Sequence, residues 1–334
     1  MRKKISRFFQ TPARLSLTAA AKDELLVRET ISVVRCIYAC MPLLAYLFYM
    51  MRIEARSLFE PVGPVVWIEG FFADPQDIIT LTKLFLLCTT LLAAVLYRWF
   101  IARLAVFLGF VMAQATTSSF GGLHHEMYFP VFVTGALLFV PSIFTTFEKS
   151  THAQRRNFLL FFWFAQALCM VSYAIAGFHK IRIGIEQWWM GEISTLHVEG
   201  AAYMVADWLP RIQLDLPLGE YLIEVPMAGF LAVLGVVYLQ LFAMWPLIYP
   251  SLQRIWGFGL LLFHVMNYMF LGVVFTEMTL IVILLFVYSP FAVLSYSSRE
   301  QLFALPIIGQ CAALGLWLWQ RISSLFCNQK PVSS

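Results

Sequence analysis

Charge is scarce in this sequence. Asp, Glu, Lys and Arg make up 13% of its 334 residues, where a soluble domain carries about 25%. With 60% hydrophobic residues and a mean hydropathy of +0.77, the chain has too little polar surface to cover a water-soluble core, which excludes an ordinary soluble globular domain. Several other features are missing. The six cysteines (Cys36, Cys40, Cys88, Cys169, Cys311 and Cys327) form no CxxC or Cys/His zinc spacing, and most sit in apolar runs as small packing residues. No HExxH pattern supports a metal, and no metal is expected. There is no low-complexity stretch, soluble insert or internal repeat, and no nucleic-acid partner is expected. The basic start, MRKKISRFFQTPARLSL, lacks the short apolar region and small-residue cleavage site of a signal peptide. Residues 1–30 are read as a cytoplasmic leader whose Phe8, Phe9, Leu15 and Leu17 lie on the membrane surface.

Long apolar runs are present in number. Crossing a ~30 Å hydrocarbon core takes roughly 20 apolar residues, and their backbone must be satisfied within the segment, hence helices. The expectation is an all-α polytopic bundle with eight spans, near 31–51, 78–97, 104–120, 128–147, 158–177, 222–247, 255–274 and 278–296, and a possible ninth at 303–320. Residues 31–300 form the transmembrane domain, and 301–334 a hydrophobic helix with a short tail. With the N-terminus inside, fourteen of the 23 Lys and Arg fall in inner segments and seven in outer ones; Arg35 and Lys83 lie within spans as anchors. That asymmetry favours an N-inside, multi-pass protein of a bacterial inner membrane. It brings His124, His125, Glu126, His179, Lys180, the 178–220 connection and Glu277 to the outer face. The connection, rich in Trp, is expected to lie on the membrane as an amphipathic helix over 193–209, with Leu196, Ala202 and Tyr203 near lipid, and to cover a site between helices.

Three stretches carry polar residues in unusual places. In YAIAGFHKIRIG, residues 173–184, Lys180 ends an apolar run. It either snorkels to the headgroups or is held partly out of water among helices, with a neutral fraction able to act as a base. In FGGLHHEMYF, the histidines belong to an outer turn, or His125 enters a site as hydrogen-bond donor or proton carrier. In LLFHVMNYMF, His264 and Asn267 share a helix face. They either glue helices together or form the polar wall of a cavity.

Taken in order, these blocks resemble the membrane part of vitamin K-dependent gamma-carboxylases and the wider family of horizontally transferred transmembrane (HTTM) domains. HHEMYFPVFVTGALLF places His125 at the family's histidine. YAIAGFHKIRIGIEQWWMGE is similar to the family's YFIAG-x-K-K…W-x-x-G and places Lys180 at the catalytic lysine, Trp188 at the tryptophan and Gly191 at the glycine. FHVMNYMF is similar to FH-x-MNSQLF and places His264 and Asn267. The similarity covers roughly residues 110–290 and not the carboxylases' lumenal domain; the first lysine of their pair is His179 here. The resemblance implies a lyase-type membrane enzyme using a reduced quinone, a vitamin K-like hydroquinone, at an outward-facing intramembrane site. Lys180 would take the quinol proton, with His125 and His264 also catalytic. Asn267, His179 and Trp188 would hold the cofactor, with the bilayer, the quinol and a peptide substrate as partners. In the carboxylases the quinolate reacts with oxygen to give the base that opens a glutamate to carbon dioxide. The alternative expectation is a non-enzymatic membrane accessory protein for maturation or export of a secreted peptide.

Overall fold

The computed structural model describes residues 19–47, 59–72, 74–121, 128–141, 150–212, 216–293 and 298–327. Among them there are helices and turns and no strand. The helices are α1 (Ala19–Ala45), α2 (Pro75–Leu96), α3 (Phe100–Ser119), α4 (Tyr128–Leu138), α5 (His152–Trp189), α6 (Gly200–Ile212), α7 (Pro217–Glu224), α8 (Pro226–Leu241), α9 (Gln253–Leu271), α10 (Thr276–Val282, continued by a π-helical turn Ile283–Val287), α11 (Ser298–Ala304) and α12 (Ile308–Cys327).

Local chemistry explains where these helices start and stop. Asp74 accepts from the Gln76 amide at 2.8 Å, with Pro75 in the first turn of α2, which occupies orphan donors and pre-sets φ. Thr151 and Gln154 form a reciprocal capping box at the start of α5. Gly272, at φ 64°, ends α9 in the left-handed region, its amide donating to the Tyr268 carbonyl at 2.9 Å. Along α1 the buried residues Val27, Ile31, Val34, Tyr38, Met41 and Ala45 recur every three or four positions, a single stripe facing the core. Small side chains set the pairing of α2 with α3. A Cβ at Gly109 would run into the Thr89 hydroxyl, and the Thr82 and Thr116 hydroxyls bond at 2.9 Å, the close approach that helix association in lipid relies on.

Among the described residues, four helical segments are long and apolar enough to cross a membrane: Pro75–Leu96, Phe100–Ser119, His152–Trp189 and Pro250–Leu271. A fifth is reached if Leu218–Glu224 and Pro226–Leu241 count as one span, bent by 110° at Val225; the following proline disfavours helical geometry there. The span expected near 222–247 is thus found as a bent helix pair and not as one straight helix. Tyr128–Leu138 and Thr276–Val287 are shorter, and the apolar part of the last helix, Ile308–Trp319, follows a break at Ile307, whose φ is 61°. The large apolar side chains left exposed include Leu84, Val95, Leu231 and Leu262. Surface of this kind associates in water and is at rest in lipid: the chain is a helical membrane protein.

The longest helix also corrects the sequence reading. The apolar run ends at 177, but α5 continues to Trp189, 38 residues in all, ~57 Å at 1.5 Å per residue. Lys180 therefore lies inside a helix, not at its end. The cysteines depart from expectation too: Cys169 is in the core, while Cys36, Cys88 and Cys311 are exposed.

One buried cation ties the bundle together. Arg103 is 3% exposed and donates to four carbonyls, those of Tyr97 and Arg98 at 3.1 Å, Leu138 at 3.2 Å and Val140 at 2.9 Å. These are the ends of α2 and α4, where carbonyls lack helical partners and the helix dipole favours a cation. Arg103→Leu should cost about 3 kcal/mol of stability, since several buried acceptors lose their donor, and Arg103→Lys should recover less than half. Thermal unfolding of the detergent-purified variants measures both.

Candidate functional site

The site is organised on one face of α5. Gln166, Tyr173 and Lys180 recur every seven residues, and Gly177 and Gly184 fall on the same stripe. At each level the stripe meets a different partner.

At the first level Gln166 is fully buried. Its amide nitrogen donates to the Leu285 carbonyl at 2.6 Å, to the Ser289 hydroxyl at 3.1 Å and to the Gln253 carbonyl oxygen at 3.3 Å; Ser289 also donates to Gln253. A buried polar cluster of this type fixes which helices meet. At the second level the Tyr173 hydroxyl lies 2.6 Å from His264 Nε2, and both residues are buried. Phe129 stands edge-on to Tyr173, and Phe263 and Phe275 pack on the imidazole.

The third level is a close approach. A Cβ on Gly177 would lie 2.6 Å from the Leu241 nitrogen and 2.8 Å from the Gln240 carbonyl carbon; only glycine lets α8 come this near. One turn further, Lys180 enters a cavity of about 540 Å³. Its walls come from α5, the turn at Thr195 and Leu196, α6, α7, α8, α9 and the segment after α9. Leu239 marks one end: its carbonyl accepts from the Trp256 indole at 2.9 Å, and a Cβ on Gly259 would sit 3.0 Å from its side chain. At the other end α6 and α7 close the space. Ala201 is 2.8 Å from the Cβ position of Gly229, the Trp208 indole donates to the Leu271 carbonyl at 2.8 Å, and Gly219 faces the Phe270 carbonyl.

The lining is apolar apart from three side chains, Lys180, Thr195 and Asn267, and Lys180 is its one charged residue. Lys180 is half-buried. Among the described residues no side-chain hydrogen bond or ion pair holds Lys180 or Asn267. The neighbouring Arg182 instead pairs outward with Glu186 at 3.5 Å. An amine in such surroundings interacts strongly with any acidic group brought beside it, because little water screens the pair. Asn267 can donate and accept at once. The arrangement suits an amphiphile whose polar head carries an acidic hydrogen.

The segment 178–220 is mostly helix, not a surface loop. After α5 ends, the chain turns back on it: the Ser194 hydroxyl donates to the Gly184 carbonyl at 2.6 Å, and the Thr195 amide to the Gln187 side chain at 2.9 Å. The helix expected over 193–209 begins at Gly200. Leu196 lines the cavity and Ala202 is buried, so neither faces lipid; Tyr203 is exposed. The expectation of a cover over the site fits α6, which contributes Ala201, Met204 and Val205 to the wall.

Of the site residues expected from the sequence, Lys180 and Asn267 meet in the cavity. His264 touches Phe263 and Phe275 of its wall from behind. His179 and Trp188 are exposed on α5 and do not line it. His125, with its neighbours His124 and Glu126, lies outside the described residues. Among the described residues no three His, Cys, Asp or Glu side chains gather into a metal-binding group. Sequence reading missed Tyr173, whose spacing of seven from Lys180 was a usable signal, and Gln166, a lone amide in an apolar run. Compared with known protein families, curated proteins and solved structures, the chain matches none.

Tyr173→Phe leaves a buried imidazole nitrogen without its partner. The expected cost is about 1–3 kcal/mol, read as a lower unfolding temperature in detergent, and His264→Ala combined with it should cost less than the sum of the two single changes.

Proposed function

We propose that the protein is an HTTM-like membrane enzyme, with eight or nine crossings and its N-terminus inside a bacterial inner membrane. It acts on a lipid-soluble substrate with a weakly acidic head, of which a hydroquinone is the leading chemical candidate. The observation that carries this reading is Lys180, among the described residues the single charged side chain of a mostly apolar cavity, with no protein counter-ion among them. The order of the three sequence blocks around His125, Lys180 and His264 adds the family resemblance. A hydroquinone fits the lining present: apolar walls for its ring and chain, and Lys180, Asn267 and Thr195 for its oxygens. When bound, it supplies an oxidisable anion once its hydroxyl proton is removed.

The chain's own residues then have simple tasks. Neutral Lys180 would accept the acidic hydrogen of the head on Nζ and become an ammonium, balanced by the negative charge left on the head. Asn267 orients the head. Phe263, Phe270 and Phe275 keep water from the pair, which strengthens their attraction. Tyr173 holds His264, and through it this stretch of α9, in register with α5. A positioned base of this kind contributes about 10²–10⁴-fold to a rate.

Complementation of a strain lacking the gene tests the base. At matched membrane abundance, Lys180→Ala and Lys180→Arg should both fail, because arginine stays protonated in proteins. Rescue by Arg alone would replace the base with a fixed charge. Rescue by both would remove Lys180 from the function and favour the accessory-protein alternative.

A further inference from the structure

The same cavity has a side that the described residues do not close. α8 and α9 touch at Leu239, where Trp256 and Gly259 meet it, and beyond it both helices line the cavity. Within this stretch Gly235 lines the cavity, and a Cβ built on it meets nothing within 4 Å. Opposite, on α9, Leu262 lines the cavity and is still 61% exposed. The neighbouring Leu231 and Leu234 of α8 are exposed as well. In a membrane helix pair such apolar exposure faces lipid, so the opening leads to acyl chains, not to water. The α8 wall behind it is built from small side chains: Gly229, Ala232, Val233 and Val236 share one face, and the run from Gly229 to Leu239 measures ~15 Å at 1.5 Å per residue.

We propose that the cavity is loaded sideways from the bilayer, through the gap between α8 and α9, by a single-chain amphiphile with an acidic head, and that Gly235 sets what passes. The chain lies along α8 and the head reaches Lys180. Charge selects the head: among the described residues no acidic side chain pairs with Lys180, so an occupant whose acidic head protonates the amine gains a poorly screened ion pair, and its neutral analogue does not. Size selects one chain, because about 540 Å³ lies in the range that buries one small ligand, which a two-chain lipid exceeds. Gly235 is the determinant because its missing side chain is the space at the gap. This rests on reading the Lys180 cavity as a substrate site.

The probe is hexadecanoic acid carrying a diazirine in its chain, with the matching alcohol as comparison, in phosphatidylcholine vesicles holding the full-length protein. Photolabelled peptides are quantified by mass spectrometry. The wild type should be labelled on α8 and α9, by the acid at least tenfold more than by the alcohol. Gly235→Phe should lower acid labelling at least tenfold, and Leu234→Phe, on the lipid face, should leave it unchanged. Lys180→Gln should bring the acid down to the alcohol. If Gly235→Phe does not fold, Gly235→Ala and Gly235→Leu give the graded version, labelling falling as the side chain grows. Equal labelling by acid and alcohol in the wild type, or labelling indifferent to side-chain size at 235, overturns the proposal. Labelling is independent of complementation. A functional Lys180→Arg strain would overturn the base while leaving lateral loading standing; unaltered labelling in Gly235→Phe would do the reverse.

Discussion

Gly177 is the contact on which the rest of the arrangement depends. Helices in lipid gain nothing from hiding apolar surface from each other, and they associate through packing and hydrogen bonds. The backbone of α8 at Gln240 and Leu241 comes so near to α5 that any side chain at 177 would displace it. With α8 held there, residues of α8 and α9 face the cavity together. Gly184 does the same for the turn after α5, giving Leu196 and Ser194 a place against the helix. Lys180 lies between these two glycines and faces the enclosed space.

The polar residues of the bundle divide into two kinds. Arg103, Gln166, Tyr173, His264 and Trp256 have protein partners at hydrogen-bond distance, as buried polar groups require, and so does the more exposed Trp208. Their role is to hold helices in register. Lys180 and Asn267 are the other kind, polar groups that face a cavity and bond to no side chain among the described residues. Holding an amine in such a place with no carboxylate beside it among the described residues costs stability, and the proposed binding role is a physical reason to tolerate one. The 110° break at Val225–Pro226 belongs to the same design. It folds α7 across the end of the cavity, where Leu222 and Gly229 join the lining. Broken helices of this kind occur in membranes where irregular backbone lines a cavity, and the sequence reading did not anticipate one here.

The chain's composition alone determined its class. Low charge and repeated apolar runs leave only a bundle of helices in lipid, because no other open backbone satisfies its own hydrogen bonds there. Sequence also singled out Lys180, His264 and Asn267, since a polar residue in an apolar run stands out without any structure. It misjudged the end of α5, because hydropathy marks where a helix leaves lipid and not where its hydrogen bonds stop; residues 178–189 are polar enough to leave and helical all the same. It could not say that Tyr173, and not a residue of the expected site, would take His264, nor that His179 and Trp188 would turn outward. Partners 91 positions apart are chosen by how helices cross, and the crossing is set by steric contacts such as Gly177 against Leu241. Local pattern decided which residues are polar and which segments are helical. Only the tertiary packing decided that Lys180 and Asn267 share one enclosed space, because that space exists only between helices already in place.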